Sequence, residues 1–370
     1  MHSLADLWAG LTQGRKGGNS RAALRVLVLS DTIGATQVIS FERPLRRLVR
    51  EGACTLRLVD EGALGTGGRI LVKLWAEFAP THLILSRYSG AMVDKISEFA
   101  RGKGVPIICH LDDDLFAVPP ELGEAKFRHY NDPGRLGRLR AAIQCADLVY
   151  ASTSALADRL RDHGVSRPLE AGKIYCAVDP PYTPIRPPRT DAVTIGYMGT
   201  SGHREDVALI VPAIEALLRR HHHLRFETFG TIELPAPLRM FGDRVIHHRP
   251  IADYDGFLDR LAALEWDIGL APLADNAFNA CKANTKWVEY TDAGICVAAS
   301  DLAVYRPVME GGRGLLVSNS HWIASLEKLI QSPALRLAGV QAAQAELSNY
   351  TLEHLERQLL RLLDLVHAQV

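Results

Sequence analysis

No apolar run in this chain of 370 residues approaches the roughly 18 residues that a membrane-spanning helix needs. Net charge is missing as well. The 42 Lys and Arg balance 42 Asp and Glu, so nothing points to a nucleic-acid partner, which calls for a basic balance or a basic face. Six cysteines (Cys54, Cys109, Cys145, Cys176, Cys281 and Cys296) carry no C-x-x-C spacing. Several sit inside apolar runs, the pattern of free core thiols in a reducing compartment. The opening "MHSLADLWAGLTQGRKGGNSRAAL" places its apolar residues before its basic ones, the reverse of a signal peptide, so the expected compartment is the cytoplasm. Its "LADLWAGL" followed by "GRKGG" suits either a frayed helix or peripheral contact with the inner face of a membrane. The "RRHHHL" run from Arg219 has no matching ligand cluster and is expected to be a surface helix end, not a metal site.

What the chain has in quantity is alternation. Short apolar, β-branched runs exchange with longer amphipathic stretches, the pattern of βαβ units and parallel sheets. In the first half the strands are expected at "LRVLVLS" (from Leu24), "TLRLVD" (Thr55), "HLILSR" (His82), "PIICHL" (Pro106), "LVYAS" (Leu148) and "KIYCAV" (Lys173). Between them lie helices such as "SALADRLRDHG", with Ser154 as its expected N-cap and Gly164 as its stop. Then "DPPYTPIRPPRTD" brings five prolines into thirteen residues, a density that supports neither helix nor central strand and reads as a stiff connector. The second half starts afresh, with strands expected at "VTIGYMG" (Val193), "LRFETFG" (Leu224), "RVIHH" (Arg244), "DIGLAPL" (Asp267), "ICVAAS" (Ile295) and "GLLVS" (Gly314). Helical sequence follows from about Trp322.

The predicted organisation is therefore an extension over 1–23, an α/β domain over 24–180, a linker over 181–191, a second α/β domain over 192–350, and a C-terminal helix over 351–370 that can return to the first domain. A chain of this length can bury two cores. Two doubly wound sheets joined in this way leave a cleft between the carboxyl ends of their strands, where a ligand is expected.

The segment "WDIGLAPLADNAFNACKANTKWVEYTDAGICVAASDLAVYRPVMEGGRGLLV", from Trp266, carries the most information. A strand ends in "APL", a loop bears lysines, a helix carries a glutamate, and a strand and a "GRGLLV" turn follow. Together with "GYMGTSGHREDVALI", "ADLVYASTSALADRL" and "IYCAVDP", this ordered set resembles the GT-B-fold glycosyltransferases, in particular the retaining glycosyltransferase family 4. The likeness runs through most of the chain from Leu24 onward. It implies two Rossmann-like domains, a nucleoside-diphosphate sugar held mainly by the second, and an acceptor held mainly by the first. The implied acceptor is a glycan or lipid-linked saccharide of a bacterial envelope. No cofactor or metal is implied, the sugar nucleotide being a substrate.

The same residues make chemical sense without the resemblance. Breaking the donor's glycosidic bond leaves negative charge on a diphosphate, which cations and a helix N-terminus stabilise. Asn284 and Thr285 are placed to open the helix that contains Glu289, with Lys282 just before it and Lys286 in its first turn. The resemblance gives Glu289 the ribose hydroxyls. A solvated helix with an i,i+3 Lys286–Glu289 pair is the plainer alternative. One departure stands out: the family signature has a second glutamate eight positions earlier, and this chain has Cys281 there. That glutamate commonly meets the donor sugar, and Lys282 is placed to substitute for it.

"GTSGHRED" ends a strand and opens a helix, so Gly199 and Ser201 can bring backbone close to a phosphate, with His203 and Arg204 in place of the family's arginine and lysine. An ordinary strand-to-helix turn explains the same residues. "GALGTGGR", from Gly62, lacks the P-loop lysine and is expected to be a flexible loop.

Finally, "HLDDDL" ends the fourth strand with three adjacent carboxylates. Asp112 or Asp113 is expected to orient sugar hydroxyls with His110 nearby. Two readings compete: a divalent-metal site of the kind GT-A enzymes build, and a helix cap by Asp114 ahead of "LFAV".

Overall fold

The computed structural model describes residues 24–65 and 68–367, so the N-terminal extension with its expected membrane contact lies outside the described residues. Among the described residues twelve strands form two separate six-stranded sheets, in both of which every pairing is parallel. The first holds β1 (Leu24–Ser30), β2 (Cys54–Asp60), β3 (His82–Ser86), β4 (Ile107–Leu111), β5 (Leu148–Ala151) and β6 (Leu169–Ala171) in the order β2-β1-β3-β4-β5-β6. The second holds β7 (Val193–Gly199), β8 (Leu224–Gly230), β9 (Val245–His248), β10 (Ile268–Ala271), β11 (Cys296–Ser300) and β12 (Leu315–Val317) in the order β12-β11-β10-β7-β8-β9.

Helices cover both faces of each sheet, which is why central strands such as β1 are apolar without alternation. Val26 and Val28 face one core with Phe41 and Ile84, while Leu27 and Leu29 face another with Leu83 and Leu85. Each sheet reverses its strand order once, at β1/β3 and at β7/β10, and crevices at the carboxyl ends of such reversals are where open α/β sheets take ligands.

Two stretches of chain connect the halves. The proline-rich segment forms no helix or strand, and Val178 N–H donates to Tyr350 C=O (2.8 Å), so the outgoing and returning chains are hydrogen-bonded side by side. After them the Leu352–His367 helix returns to the first sheet and places Leu359, Leu362, Leu363 and Val366 against Val26, Val28, Ile84 and Ile108. Among the described residues no helix is long and apolar enough to cross a membrane.

Three local expectations change. "KIYCAV" is not a strand: the sheet edge is β6, and the chain leaves it at Gly172, where a Cβ would stand 2.8 Å from the Ser152 carbonyl. Its apolar residues are buried because Cys176 and Val178 pack among second-domain side chains. The Ser154–Asp162 helix is capped by Thr153, whose Oγ1 accepts from Leu156 N–H (3.1 Å), and not by Ser154. Gly62–Leu64, the start of the expected flexible loop, lies in a helical turn (Glu61–Leu64) capped by Asp60 (Ala63 N–H to Oδ1, 2.8 Å), and residues 66–67 of that loop lie outside the described residues.

Candidate functional site: a cavity between the two sheets

A cavity of about 670 Å³ opens between the carboxyl ends of the two sheets. From the second sheet its wall begins at Gly199, which ends β7. Gly230, ending β8, has φ +119°, and a Cβ there would come within 2.3 Å of the Gly199 carbonyl oxygen, so only glycine lets these strand ends meet. The floor is the Thr285–Asp292 helix, whose Thr285, Lys286 and Glu289 line the cavity. No side chain caps this helix; Trp287 N–H donates to the Asn284 carbonyl (2.9 Å), and the Thr285 and Lys286 N–H groups are left for a ligand or solvent.

Lys282 and Lys286 both reach the cavity. Lys286 lies beneath it with its ammonium over the Tyr197 ring (5.7 Å), and burial lowers its affinity for a proton, Glu289 opposing. Lys282 packs its ammonium over Phe278 (4.8 Å) and pairs across the cleft with Asp113 Oδ1 (3.5 Å). Two cations and an open helix end on one wall form a receptor for concentrated negative charge such as a diphosphate.

Glu289 is 6% exposed. Its Oε1 accepts from the Tyr254 hydroxyl (2.7 Å). Burial pushes its carboxyl up to about 7, against the Tyr254 hydrogen bond and the charges of Lys286 and Arg43. A buried carboxylate at that position can accept hydrogen bonds from hydroxyls.

His203 lines the cavity, and its Nδ1 lies 2.8 Å from Asp206 Oδ2. The nearby Lys286 charge, then burial, lowers the ring to about 4, so it is neutral at pH 7. Asp206 is held below the usual carboxylate range: burial opposes ionisation, but the His203 hydrogen bond and the Ala274 N–H (2.8 Å) outweigh it. An ionised Asp206 accepts a hydrogen bond from Nδ1–H, which leaves Nε2 with a lone pair. Such a nitrogen suits a hydroxyl donor better than a phosphate.

Four expected residues do not join the cavity wall. Arg204 and Ser201 are exposed and turned out, Ser201 N–H donating to Thr231 Oγ1 (3.1 Å). Asn284 stands at the helix N-cap position but directs its amide to the Tyr350 hydroxyl (3.1 Å) and caps nothing. His110 is fully buried, with Nδ1 3.0 Å from Ser86 Oγ and its ring edge-on to Phe41 (5.0 Å). Burial, opposed by Asp112 and reinforced by Arg87, lowers that ring to about 4. His110 sits back from the strand end, packed among Ser86, Phe41 and Tyr150, and does not reach the cleft.

The three aspartates divide. Asp112 Oδ2 accepts from Thr36 Oγ1 (2.7 Å) and the Tyr175 hydroxyl (3.0 Å), and Oδ1 lies 3.2 Å from an Arg87 nitrogen. Burial disfavours its charge, but Arg87, His110 and these hydrogen bonds hold the carboxyl below its ordinary range. Asp113 faces the cavity between Lys282 and Arg87, both at 3.5 Å. Asp114 turns into the first domain, where Arg159 (3.0 Å) and His163 (2.9 Å) pair with it. No helix follows it. Its Oδ1 accepts from Phe116 N–H (3.2 Å) in a turn, so the capping expectation fails for want of a helix. Among the described residues no three His, Cys, Asp or Glu side chains converge as metal ligands.

Cys281, at the position of the missing glutamate, is not on the cavity wall. With Phe278 it packs into the first domain's core, and its carbonyl accepts from Thr153 Oγ1 (2.8 Å). Sequence reasoning missed Arg87, Tyr175, Thr36 and Tyr254. Arg87 carries φ +53°, directly after β3, and no sequence signal marks it.

Two Rossmann-like domains facing across a cleft are the GT-B fold. HepE of Anabaena, solved in complex with UDP, is similar over 92% of this chain and 100% of that chain, with 15% identity and a TM-score of 0.62. A UDP-forming α,α-trehalose-phosphate synthase from Burkholderia xenovorans is similar over 93% of this chain and 99% of its own, with 13% identity and a TM-score of 0.57. A protein of Listeria monocytogenes assigned as a UDP-N-acetylglucosamine 2-epimerase is similar over 92% and 95%, with 12% identity and a TM-score of 0.52. At these identities the likeness establishes the fold. No family model matches the chain, and no curated protein matches it in sequence.

Proposed function

We propose that the protein is a glycosyltransferase that moves a sugar from a nucleoside-diphosphate sugar, held by the second domain, to a saccharide acceptor held by the first. The observation that carries this reading is the convergence of Lys282, Lys286 and the uncapped end of the Thr285–Asp292 helix on one cavity wall, opposite Asp113 of the other domain. The diphosphate would lie on the cationic wall, the ribose against Glu289, and the sugar beneath Asp113. Similar structures solved with UDP support a uridine nucleotide as the first donor to test.

The reaction we infer retains the anomeric configuration, as the family 4 resemblance implies. The bond from the anomeric carbon to the diphosphate breaks, a bond to the acceptor oxygen forms on the same face, and the acceptor's proton passes to the departing diphosphate. Lys282 and the helix end stabilise the charge that develops there. Asp113 orients hydroxyls and takes no proton. The acceptor class we propose is a glycan or lipid-linked saccharide of a cell envelope.

A sugar-nucleotide epimerase is the second reading, favoured by the fold likeness to the Listeria protein. An epimerase needs no second substrate. A separate cavity of about 670 Å³ at the carboxyl ends of β1 and β3, sharing Thr36 with the first, supports a two-substrate reaction. Thermal-shift titration with nucleoside diphosphates and their sugars, followed by product analysis with a labelled donor, tests both. Transfer of label to a saccharide is expected, and release of an epimer alone would overturn the transferase reading. With cations in the metal's usual place, turnover should survive EDTA. Activity lost to chelator and restored by Mg²⁺ or Mn²⁺ would return the aspartates to a metal role.

A further inference from the structure

The second cavity sits at the strand-order reversal of the first sheet, bordered by Ser30 at the end of β1 and Arg87 after β3. Three guanidinium groups line it: Arg87, Arg135 and Arg138. Arg135 is the anomaly. It is 3% exposed, yet its Nε and Nη1 have no hydrogen-bond partner. Its nearest carboxylate oxygen, Asp31 Oδ2, is 3.7 Å from Nη2, beyond hydrogen-bond reach. The ring of Tyr130 supports the guanidinium from one side (4.4 Å), which fixes its plane without meeting its donors.

The carboxylates around it are already engaged. Asp31 accepts from Ser89 N–H (2.7 Å) and from the Ser89 hydroxyl. Glu61 accepts from Ala91 N–H (2.9 Å) and the Tyr88 hydroxyl. Asp132 Oδ1 accepts from the Arg135 N–H at a helix start (2.7 Å). These three anions spend oxygens on backbone and hydroxyl donors, while Arg138 gives one N–H to the Ser89 carbonyl (2.7 Å) and keeps its fork for the cavity. A buried guanidinium with two unmet donors is costly unless a ligand completes it.

We propose that this cavity recognises an anionic group on the acceptor, a carboxylate or phosphate gripped by Arg135 and Arg138, so that the acceptor is an acidic or phosphorylated sugar and not a neutral one. The guanidinium fork matches both anions in bidentate geometry. Arg87 ties the cavity to the reaction, since it lines this wall while pairing with Asp112 and Asp113 at the donor side. An anion anchored at Arg135 and Arg138 holds the rest of its sugar toward Thr36 and Asp113. The proposal rests on the transfer reading for the word acceptor, but the anion site itself does not.

The test is a ligand-observed NMR titration of the full chain with the donor cavity saturated by a nucleoside diphosphate. The probes are D-glucuronate, D-glucose 6-phosphate and D-glucose. Both anions are expected to bind, glucose at least about tenfold more weakly, and the tighter anion identifies carboxylate or phosphate as the natural group. Arg135→Lys and Arg138→Gln should each weaken the anions about tenfold and leave nucleoside diphosphate affinity unchanged. Arg138 is only half-buried, so its variant tests the site even where the Arg135 change disturbs folding. Glucose binding as tightly as the anions, no binding of either anion, or anion affinity unchanged in Arg138→Gln would overturn the proposal. A wild-type protein that takes the anions but no nucleoside diphosphate would instead remove the transfer reading and leave the anion site standing.

Discussion

Lys282 and Glu289 touch different parts of one cavity, and their substitutions should fail differently. Lys282 lines the cavity, and in the proposed transfer it stands where diphosphate charge grows, so Lys282→Ala should lower kcat as well as weaken binding, by about 2–4 kcal/mol of transition-state stabilisation. Glu289 lies one helical turn deeper, so Glu289→Gln should weaken ground and transition states alike and show as a raised donor KM. Steady-state kinetics separate the two patterns, and wild-type constants in both variants would place the donor elsewhere. Glu289 also makes a stability prediction. Its carboxyl titrates near 7 in the fold against an ordinary value of 4.5. Below pH 4.5 it is protonated in both states and costs nothing. Above 7 it is ionised in both and the folded state bears the full penalty, about 3 kcal/mol at most. Stability is therefore lost as pH rises through that window. Glu289→Gln should raise the urea midpoint at pH 8 and leave it unchanged at pH 4.5. Equal midpoints at both pH values would show that the buried carboxylate is relieved in some other way.

Between strands and helices, the Ala277–Ala280 turn decides how far the family signature applies. Phe278 and Cys281 face the first domain's core, and burial, then the Asp114 charge, pushes the Cys281 thiol up to about 11. A carboxylate put there would meet the same desolvation and the same neighbour. Cys281→Glu should therefore lower stability by about 3 kcal/mol and give no gain in donor affinity. An unchanged melting temperature with tighter sugar-nucleotide binding would mean that this position still serves the sugar. The elements themselves were largely legible, because strands covered on both faces read as unbroken runs such as "LRVLVLS". "KIYCAV" shows the limit. It is buried like a strand, but by packing against the other domain, and a linear pattern does not distinguish the two. Tyr175 was overlooked for that reason. "PIICHL" is buried at every position of its strand, so no alternation marked where His110 points. Ser201 and Arg204, which open short helical turns, and Asn284, just before a helix, had no periodicity to orient them either. Arg87 and Tyr254 come to the site only through tertiary structure, each from a strand or helix end far from its partners in sequence.

At the scale of the whole molecule, the two sheets meet along unequal seams. At the chain crossing, Val178 and Tyr350 are joined through backbone (2.8 Å), and Leu352 N–H donates to Asp179 (2.9 Å). Arg43 and Arg46 add ion pairs to Asp255 (3.3 and 2.7 Å). Across the cavity the seam holds the Lys282–Asp113 pair at 3.5 Å, the Thr153 bond to the Cys281 carbonyl, the apolar contact of Phe278, and the Pro120–Leu122 turn packed against Ser201–His203 and Arg204–Ala208. A partly exposed ion pair at that distance contributes less than about 1 kcal/mol. We infer a hinge at the chain crossing, with the Lys282–Asp113 pair as a latch on the cavity side. A donor whose diphosphate lies on Lys282 and whose sugar lies under Asp113 contacts both domains at once, but only in the closed form. Its differential affinity is then the whole driving force for closure. Saturating donor should reduce the radius of gyration measured by small-angle scattering. A nucleoside diphosphate without its sugar, which contacts only the second domain, should reduce it less. Equal radii with and without donor would mean that the latch is already shut in the free protein and that closure is no part of the catalytic cycle.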